Sequence, residues 1–347
     1  MDSLLQLLTT LPTNWLALAL GGLAAVLVGV MVRRDLRACD AVPGKWPWMF
    51  ALLGGISATA LVYAILDGHC QSTPEVIPSE PWRYGRVLSH WIFLILLWAI
   101  TATDLKTFYI LDRSCWLGLV IGIGLAFASG DLQLAHVWVD WNQEIPQLRG
   151  PYIPGWLAPH PHWHGLAWSV AGAIVGAGIT WLVRQIAAWV LAGPALGEGD
   201  VLLMAMVGGF LGWQATLVAF LIAPLLALVL GLPLRLMTNR TAIPYGPFLA
   251  GGAMCVLFGW RWIWMAEVPL TADANPDPRH IFAVRRFFGD PVAMAMVMGG
   301  SLVLFVGLLA GLRWFRSISL RDASSPETTS AERHQQNQDS GTDPNPV

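Results

Sequence analysis

The chain has 347 residues, of which 55% are hydrophobic and only 12% are charged. A soluble domain typically carries about twice that charged fraction. The few charges here are bunched between long apolar runs, which excludes an ordinary soluble enzyme and makes lipid the main expected solvent. The net charge of −2 gives no electrostatic basis for a nucleic-acid partner, and we expect none.

The apolar runs predict an all-α fold, a polytopic membrane helical bundle. A bilayer-spanning helix needs roughly 20 apolar residues, with a range of about 17–25. About nine segments meet or approach that length, with Val201–Trp213 the weakest, so eight or nine transmembrane helices are expected. The segments lie near Trp15–Val32, Trp46–Leu66, Val87–Thr103, Cys115–Ser129, His164–Leu191, Val201–Trp213, Ala215–Leu236, Phe248–Ala266 and Val292–Leu312.

The distribution of basic residues predicts the orientation. The first apolar run has no basic residue before it and ends in Arg33-Arg34 rather than at a small-residue cleavage site, so we interpret it as a retained first span. With the N-terminus outside and the C-terminus cytoplasmic, 13 of the 20 Lys and Arg residues fall on the inside. Such an excess is typical of cytoplasmic loops. The tail from Arg313 onward is polar and is expected to be disordered.

Two aspartates lie at helix ends that this topology places on the cytoplasmic side. Asp104 directly follows an apolar helix, and Asp200 closes the sequence Gly197-Glu198-Gly199-Asp200 before another. Two glycines permit a turn that a Cβ would resist, and they allow close backbone approach. Asp200 could then be the N-cap of a helix that begins at Val201.

Each aspartate also has an ordinary interpretation. Asp200 would serve only as a helix cap, and Asp104 would be a solvated carboxylate paired with Lys106 or Arg113. As a pair they can do more, because two close carboxylates cannot easily both ionise and so share one proton. The ionised aspartate would activate a water, while the protonated one would polarise the scissile carbonyl and protonate the leaving amine. This chemistry needs no metal, no cofactor and no nucleophilic Ser or Cys, and which aspartate is the base stays open.

Three motifs in order resemble the bacterial type IV prepilin peptidases, which are GxGD-type intramembrane aspartic peptidases. They are the stretch from Asp104 to Asp112, then Gly197-Glu198-Gly199-Asp200-Val201-Leu202-Leu203-Met204-Ala205, and then Ile243-Pro244-Tyr245-Gly246-Pro247-Phe248-Leu249-Ala250. The resemblance extends over roughly Leu88 to Phe258, about half the chain. It implies that Asp104 and Asp200 are catalytic. It further implies a supporting substrate groove formed by Gly197, Gly199, Asp112, Pro244, Gly246 and Pro247, with Gly246 allowing an unusual φ and the prolines adding rigidity.

The resemblance also divides the chain and suggests a substrate. Residues 1–86 would be N-terminal transmembrane helices, 87–266 the catalytic membrane core with an outer loop at 130–163, 267–314 an outer loop with the last helix, and 315–347 a disordered cytoplasmic tail. The expected function is cleavage of the leader from prepilin or pseudopilin precursors in the bacterial inner membrane, with the precursor and the lipid bilayer as partners. An inactive scaffold and a transporter using both aspartates are the alternatives.

Departures from the family pattern limit what is carried over. Leu111 stands where the family usually has proline, and Lys106 stands where many members have an acid. The loop Arg33–Lys45 is too short for the cysteine-motif insert of bifunctional members, so N-methyltransferase activity is not expected.

The alternating residues His160, His162 and His164 could form a metal site. A solvated loop is favoured because no acid or cysteine is nearby.

Overall fold

The fold is that of a computed structural model, which describes residues 2–140, 150–153, 155–192, 196–231, 233–234, 237, 243–269 and 281–323. Helices dominate this part of the chain and confirm the predicted helical bundle. They are α1 (Asp2–Thr9), α2 (Thr13–Ala38), α3 (Trp46–Leu66), α4 (Glu80–Thr107), α5 (Asp112–Ser129), α6 (Pro161–Leu191), α7 (Glu198–Leu226), a π-helical continuation (Ala227–Gly231), α8 (Gly246–Trp264), α9 (Val284–Phe287) and α10 (Pro291–Ala323).

Seven helices in the described ranges are long and apolar enough to cross a membrane, namely α2 to α7 and α10. The protein therefore has the architecture of a multi-pass membrane protein. The 19-residue α8 is not among the seven. It carries a charged residue, Arg261, among three tryptophans near its end, which lowers its mean hydropathy.

The chain reverses its direction within α7, at Gly212. This residue has φ 75° and ψ 172°, which is not helical. A Cβ built on Gly176 of α6 would lie 2.1 Å from the Met204 carbonyl oxygen and 3.1 Å from Cγ2 of Thr216. Twelve residues of straight helix would separate Met204 from Thr216 by about 18 Å, so the two halves of α7 run antiparallel.

This reversal reconciles the helix count with the sequence. The predicted segments Val201–Trp213 and Ala215–Leu236 correspond to the two halves of α7, although the predicted end of the second lies outside the described residues. Gly246 at the start of α8 lies beside Asp104, while Trp260 near its end donates to the carbonyl of Leu134 in the far loop. With α7 counted as two passes and α8 added, the seven long helices become nine crossings.

Several predicted boundaries were wrong. The short α1 was not predicted, and α4 begins at Glu80 rather than near Val87. The extra turns of α4 include Arg86, which is buried and donates hydrogen bonds to the carbonyls of Gln71 and Gln133, so a charged residue enters the helix because loop carbonyls satisfy it. At the other end, α10 continues through Arg313 to Ala323, so the first residues of the predicted tail belong to this helix, and the rest of that tail lies outside the described residues.

Loop segments form two short antiparallel ladders. Strand β1 (Trp138–Asp140) pairs with β2 (Gly150–Tyr152), and β3 (Glu267–Pro269) pairs with β4 (Ile281–Ala283).

Helix α4 is the centre of the bundle. In its most apolar 18-residue stretch 83% of the residues are buried, whereas none is buried in the corresponding stretch of α10. The C-terminal end of α4 carries Asp104, so the core helix positions one of the two predicted catalytic aspartates.

Candidate active site

Asp104 lies in the last turn of α4, and its side chain is only 4% exposed. The helix ends at Phe108, whose left-handed conformation (φ 57°) lets its N–H donate to the Asp104 carbonyl at 2.9 Å. The Asp104 carboxylate accepts a hydrogen bond from the backbone N–H of Gly246. The same aspartate is thus fixed from two sides, by its own helix and by the start of α8.

Asp104 does not form either of the ion pairs that the ordinary interpretation required. Arg113 instead pairs with Asp35 at the end of α2, with 2.7 Å between Nη2 and Oδ1. The Lys106 ammonium donates to the carbonyl oxygen of Val42. Both cations are therefore engaged elsewhere, Arg113 by the end of α2 and Lys106 by the loop between α2 and α3.

Asp200 is the third residue of α7 and is 6% exposed. Its Oδ2 accepts a hydrogen bond of 3.0 Å from the N–H of Gly197, which is the N-cap residue. The prediction that Asp200 itself caps a helix starting at Val201 was therefore wrong by one turn. An acidic side chain at the third position can satisfy the free N–H at the cap and also faces the positive end of the helix dipole.

Both aspartates line one cavity of about 360 Å³ at the end of the bundle where α4 ends and α7 begins. They are close enough for the Asp200 charge to act on the Asp104 carboxyl. Two buried carboxylates facing one cavity are the arrangement that a shared-proton, water-activating pair requires. The remaining lining residues are Phe108, Tyr109, Ile110, Asp112, Leu196, Gly197, Glu198, Gly199, Ile243, Pro244 and Tyr245.

Small size, not unusual backbone geometry, is what the cavity demands of its glycines. A Cβ on Gly246 would lie 2.4 Å from Asp104 Oδ2, and one on Gly199 would lie 2.7 Å from Ile110 Cβ. None of Gly197, Gly199 and Gly246 has a positive φ. The predictions of a turn that requires glycine at Gly197 and Gly199, and of an unusual φ at Gly246, were therefore wrong. At Gly197 the nearest atom to a built Cβ is Asp200 Oδ2, at an ordinary 3.5 Å.

The other predicted groove residues fall into two groups. Asp112 is the exposed first residue of α5 and lines the cavity, as does the buried Pro244. Pro247 lies outside the lining and in the first turn of α8, where proline is favoured because its missing N–H has no helical partner. The structure thus assigns Pro247 to helix initiation.

Tyr245 is a cavity residue that the sequence interpretation did not select. Burial, and secondarily the nearby Asp200 carboxylate, raise the pKa of its hydroxyl above the usual range. The phenol consequently stays protonated and can donate a hydrogen bond into the cavity. The signal was present in the sequence, since Tyr245 stands between Pro244 and Gly246 in the third motif.

The three histidines considered for a metal site diverge in the structure. His162 and His164 belong to the first turn of α6 rather than to an extended segment. The His162 ring bonds to the Phe127 carbonyl at 2.9 Å, whereas His164 Nδ1 contacts Gln133 at 3.1 Å. Over the described ranges, no group of three or more His, Cys, Asp or Glu side chains could hold a metal ion.

Fold and site together define a polytopic membrane protein with two buried aspartates contributed by different helix ends. Residues 156–232, which contain α6, all of α7 and its π-helical continuation, match the model of the "Type IV leader peptidase family". This segment of the chain is therefore similar to that family. The matched segment includes Asp200 and Gly212 but not Asp104.

Proteins named "Prepilin leader peptidase/N-methyltransferase" are also similar to parts of this chain. One from Pseudomonas putida is 27% identical over 57% of this chain and 59% of its own length. Another, from Aeromonas hydrophila, is 34% identical over 41% of this chain and 55% of its own length. A third, from Escherichia coli K12, is 36% identical over 27% and 43%, respectively. The alignments thus span between 43% and 59% of the length of these relatives, and no solved structure matches the chain.

Proposed function

We propose that this protein is an aspartic endopeptidase that removes the leader peptide from type IV prepilin-like or pseudopilin precursors. The observation that carries the proposal is the single cavity lined by two buried aspartates, Asp104 and Asp200. The relationship to prepilin leader peptidases supplies the substrate class. Under this proposal the bacterial inner membrane holds the chain, with the N-terminus outside and the cavity and C-terminus on the cytoplasmic side.

The chemistry follows from how the two carboxylates are held. Each accepts one backbone N–H, from Gly246 at Asp104 and from Gly197 at Asp200, so their orientations are set before substrate arrives. With one proton shared between them, the ionised aspartate takes a proton from a water that attacks the scissile carbonyl. The protonated aspartate donates its hydrogen bond to the carbonyl oxygen and then gives the proton to the leaving amine.

The lining suits an extended peptide that enters from the helix-end face. Phe108 and Tyr109 are exposed aromatic side chains at the rim, and the exposed Asp112 adds a carboxylate that attracts a basic leader. Tyr245 adds a neutral hydroxyl donor inside the cavity. Supporting roles are proposed on the same basis for Gly199 and Pro244, which keep the cavity walls close and stiff.

The decisive experiment changes each aspartate to its amide. In membranes carrying a pilin-like precursor, Asp104→Asn and Asp200→Asn should each slow leader cleavage by about a hundred- to ten-thousandfold, because each removes a proton-transfer group. Asp40→Asn is the matched control, since Asp40 is an exposed turn residue with φ 53° on the same face and asparagine tolerates that conformation. Wild-type cleavage in either site variant, with normal protein levels, would falsify the peptidase proposal and favour a scaffold.

The proposal is limited to peptidase chemistry. The cysteines of the described residues are all free and scattered, at Cys39, Cys70, Cys115 and Cys255. Mass spectrometry of the cleaved product should therefore find an unmethylated new N-terminus when this chain acts alone. A methylated product from the purified chain and a methyl donor would contradict this part of the proposal.

A further inference from the structure

A second cavity lies on the lipid-facing side of the N-terminal helices, away from the aspartates. It occupies about 510 Å³ between α2 and α3. Its walls are formed mainly by apolar side chains. Three of these side chains are well exposed, with exposed fractions of 62% for Val26, 58% for Val30 and 71% for Trp48. Small residues keep the trough between them open. The trough is completed by Ala25, Gly29, Pro47 and Ala51.

One end of this groove is strongly basic. Arg33, Arg34 and Arg37 all line it, and all three are exposed. The Arg33 guanidinium lies 6.0 Å from the centre of the Trp48 ring, which orients it over the groove. Within the described part of the chain, no carboxylate forms an ion pair with any of these arginines.

The basic end is on the same membrane face as the aspartate cavity. Asp35, which lies between these arginines in sequence, is buried and points the other way to pair with Arg113 at the start of α5. The Asp35 charge is therefore already neutralised inside the protein, and the three arginines present an uncompensated positive surface at the membrane interface. Apolar walls in the bilayer with a cluster of cations at headgroup depth match an anionic phospholipid.

We propose that the α2–α3 groove binds one anionic phospholipid from the leaflet on the aspartate side. Its phosphate contacts Arg33, Arg34 and Arg37, and an acyl chain lies along Val26, Val30 and Trp48. Guanidinium groups suit a phosphate because they donate parallel hydrogen bonds to its oxygens. A zwitterionic phospholipid fits the walls equally well but gains much less from the three charges.

The test is native mass spectrometry of the full chain, purified in mild detergent and titrated with phosphatidylglycerol or phosphatidylcholine. Wild type should retain one phosphatidylglycerol that survives detergent exchange. The variant Arg33→Gln/Arg34→Gln/Arg37→Gln should bind it about a hundredfold more weakly, at roughly 1 kcal/mol for each cation lost. The matched control is Arg313→Gln/Arg316→Gln/Arg321→Gln, which removes the same charge from α10 and should retain the lipid.

Three outcomes would overturn the assignment. They are equal retention by wild type and the groove variant, equal retention of phosphatidylcholine, and displacement of the lipid by millimolar inorganic phosphate, which would indicate a simple anion site. Val30→Trp provides a second test that keeps the arginines: it obstructs the acyl trough from its exposed wall and should also weaken phosphatidylglycerol binding. Melting temperatures of all variants show whether each has folded. The experiment measures binding only, so it stands independently of the peptidase assay.

Discussion

Two polar cavities lie at opposite ends of α4, and they are built in different ways. At the C-terminal end, Asp104 and Asp200 each accept a hydrogen bond from a backbone N–H at the start of a helix. At the N-terminal end, a cavity of about 190 Å³ lies among loop segments that include residues 75–77 and 130–136. There, His136 Nδ1 and His164 Nε2 are buried without a hydrogen-bond partner among the described residues.

The difference shows which cavity has the rigidity that catalysis needs. Backbone donors at helix ends cannot rotate away, so they hold a carboxylate within the small tolerance that proton transfer allows. The cavity at the N-terminal end of α4 depends on loop segments, and two of its ring nitrogens have no hydrogen-bond partner among the described residues. We therefore expect peptidase activity to be sensitive to small changes at the aspartate cavity and insensitive to changes at the cavity lined by His136 and His164.

Gly246→Ala should have the largest effect on activity. The new Cβ would lie 2.4 Å from Asp104 Oδ2 and 2.9 Å from Ile110 Cδ1, so the carboxylate must move. A displacement of about 1 Å can cost about a hundredfold in rate, and we expect at least that loss of leader cleavage. Gly259→Ala in the same helix is the control, because its built Cβ meets nothing closer than 3.6 Å. Equal activity of the two variants would show that the Gly246 contact does not position Asp104.

Gly212→Ala should have the largest effect on stability. Its backbone conformation is nearly exclusive to glycine, and strain of this kind costs about 1–3 kcal/mol. The built Cβ would also lie 2.0 Å from Trp168 Nε1. A clearly lower melting temperature in detergent is expected, while Gly124→Ala, whose Cβ meets nothing within 4 Å, should melt like wild type. An unchanged melting temperature for Gly212→Ala would contradict the chain reversal.

The ion pair between Arg113 and Asp35 should have an intermediate effect. Arg113→Gln leaves the buried Asp35 carboxylate unpaired, which we expect to cost about 1–2 kcal/mol after allowing for the half-exposed arginine. A few-fold slower cleavage should accompany it, because this pair ties the Asp112 end of the cavity to α2. Adding Asp35→Asn should recover most of the stability. If the double variant loses as much free energy of unfolding as the two single variants lose together, the two residues are not coupled.

His136→Gln should change cleavage by less than about twofold but alter the pH dependence of stability. Burial is the main cause that lowers the pKa of His136 below its ordinary value. Its unfolded form therefore binds a proton more readily, so stability is lost as the pH falls below about 6.5. Melting temperatures at pH 7.5 and pH 5 should differ less for this variant than for wild type. A large loss of cleavage at pH 7.5 would erase the contrast between the two cavities.

The sequence alone determined the class of the molecule and which residues line its candidate active site. Low charge and long apolar runs determined a helical membrane bundle, because backbone polar groups in lipid must be paired within each segment. The three motifs singled out Asp104, Asp200, Pro244 and Asp112, and all four line one cavity. Whether the two aspartates are catalytic stays a prediction until their amide variants are tested.

Only the tertiary structure decided how those residues are held. The steric need for Gly246 arises from Asp104, which lies in another helix far away in sequence. Similarly, the partner of Arg113 is Asp35 rather than the adjacent Asp104. The reversal at Gly212 depends on how closely α6 and the two halves of α7 pack. Local sequence pattern predicts which segments become helices, but contacts between distant segments determine which small residue, which ion pair and which hydrogen bond each position requires.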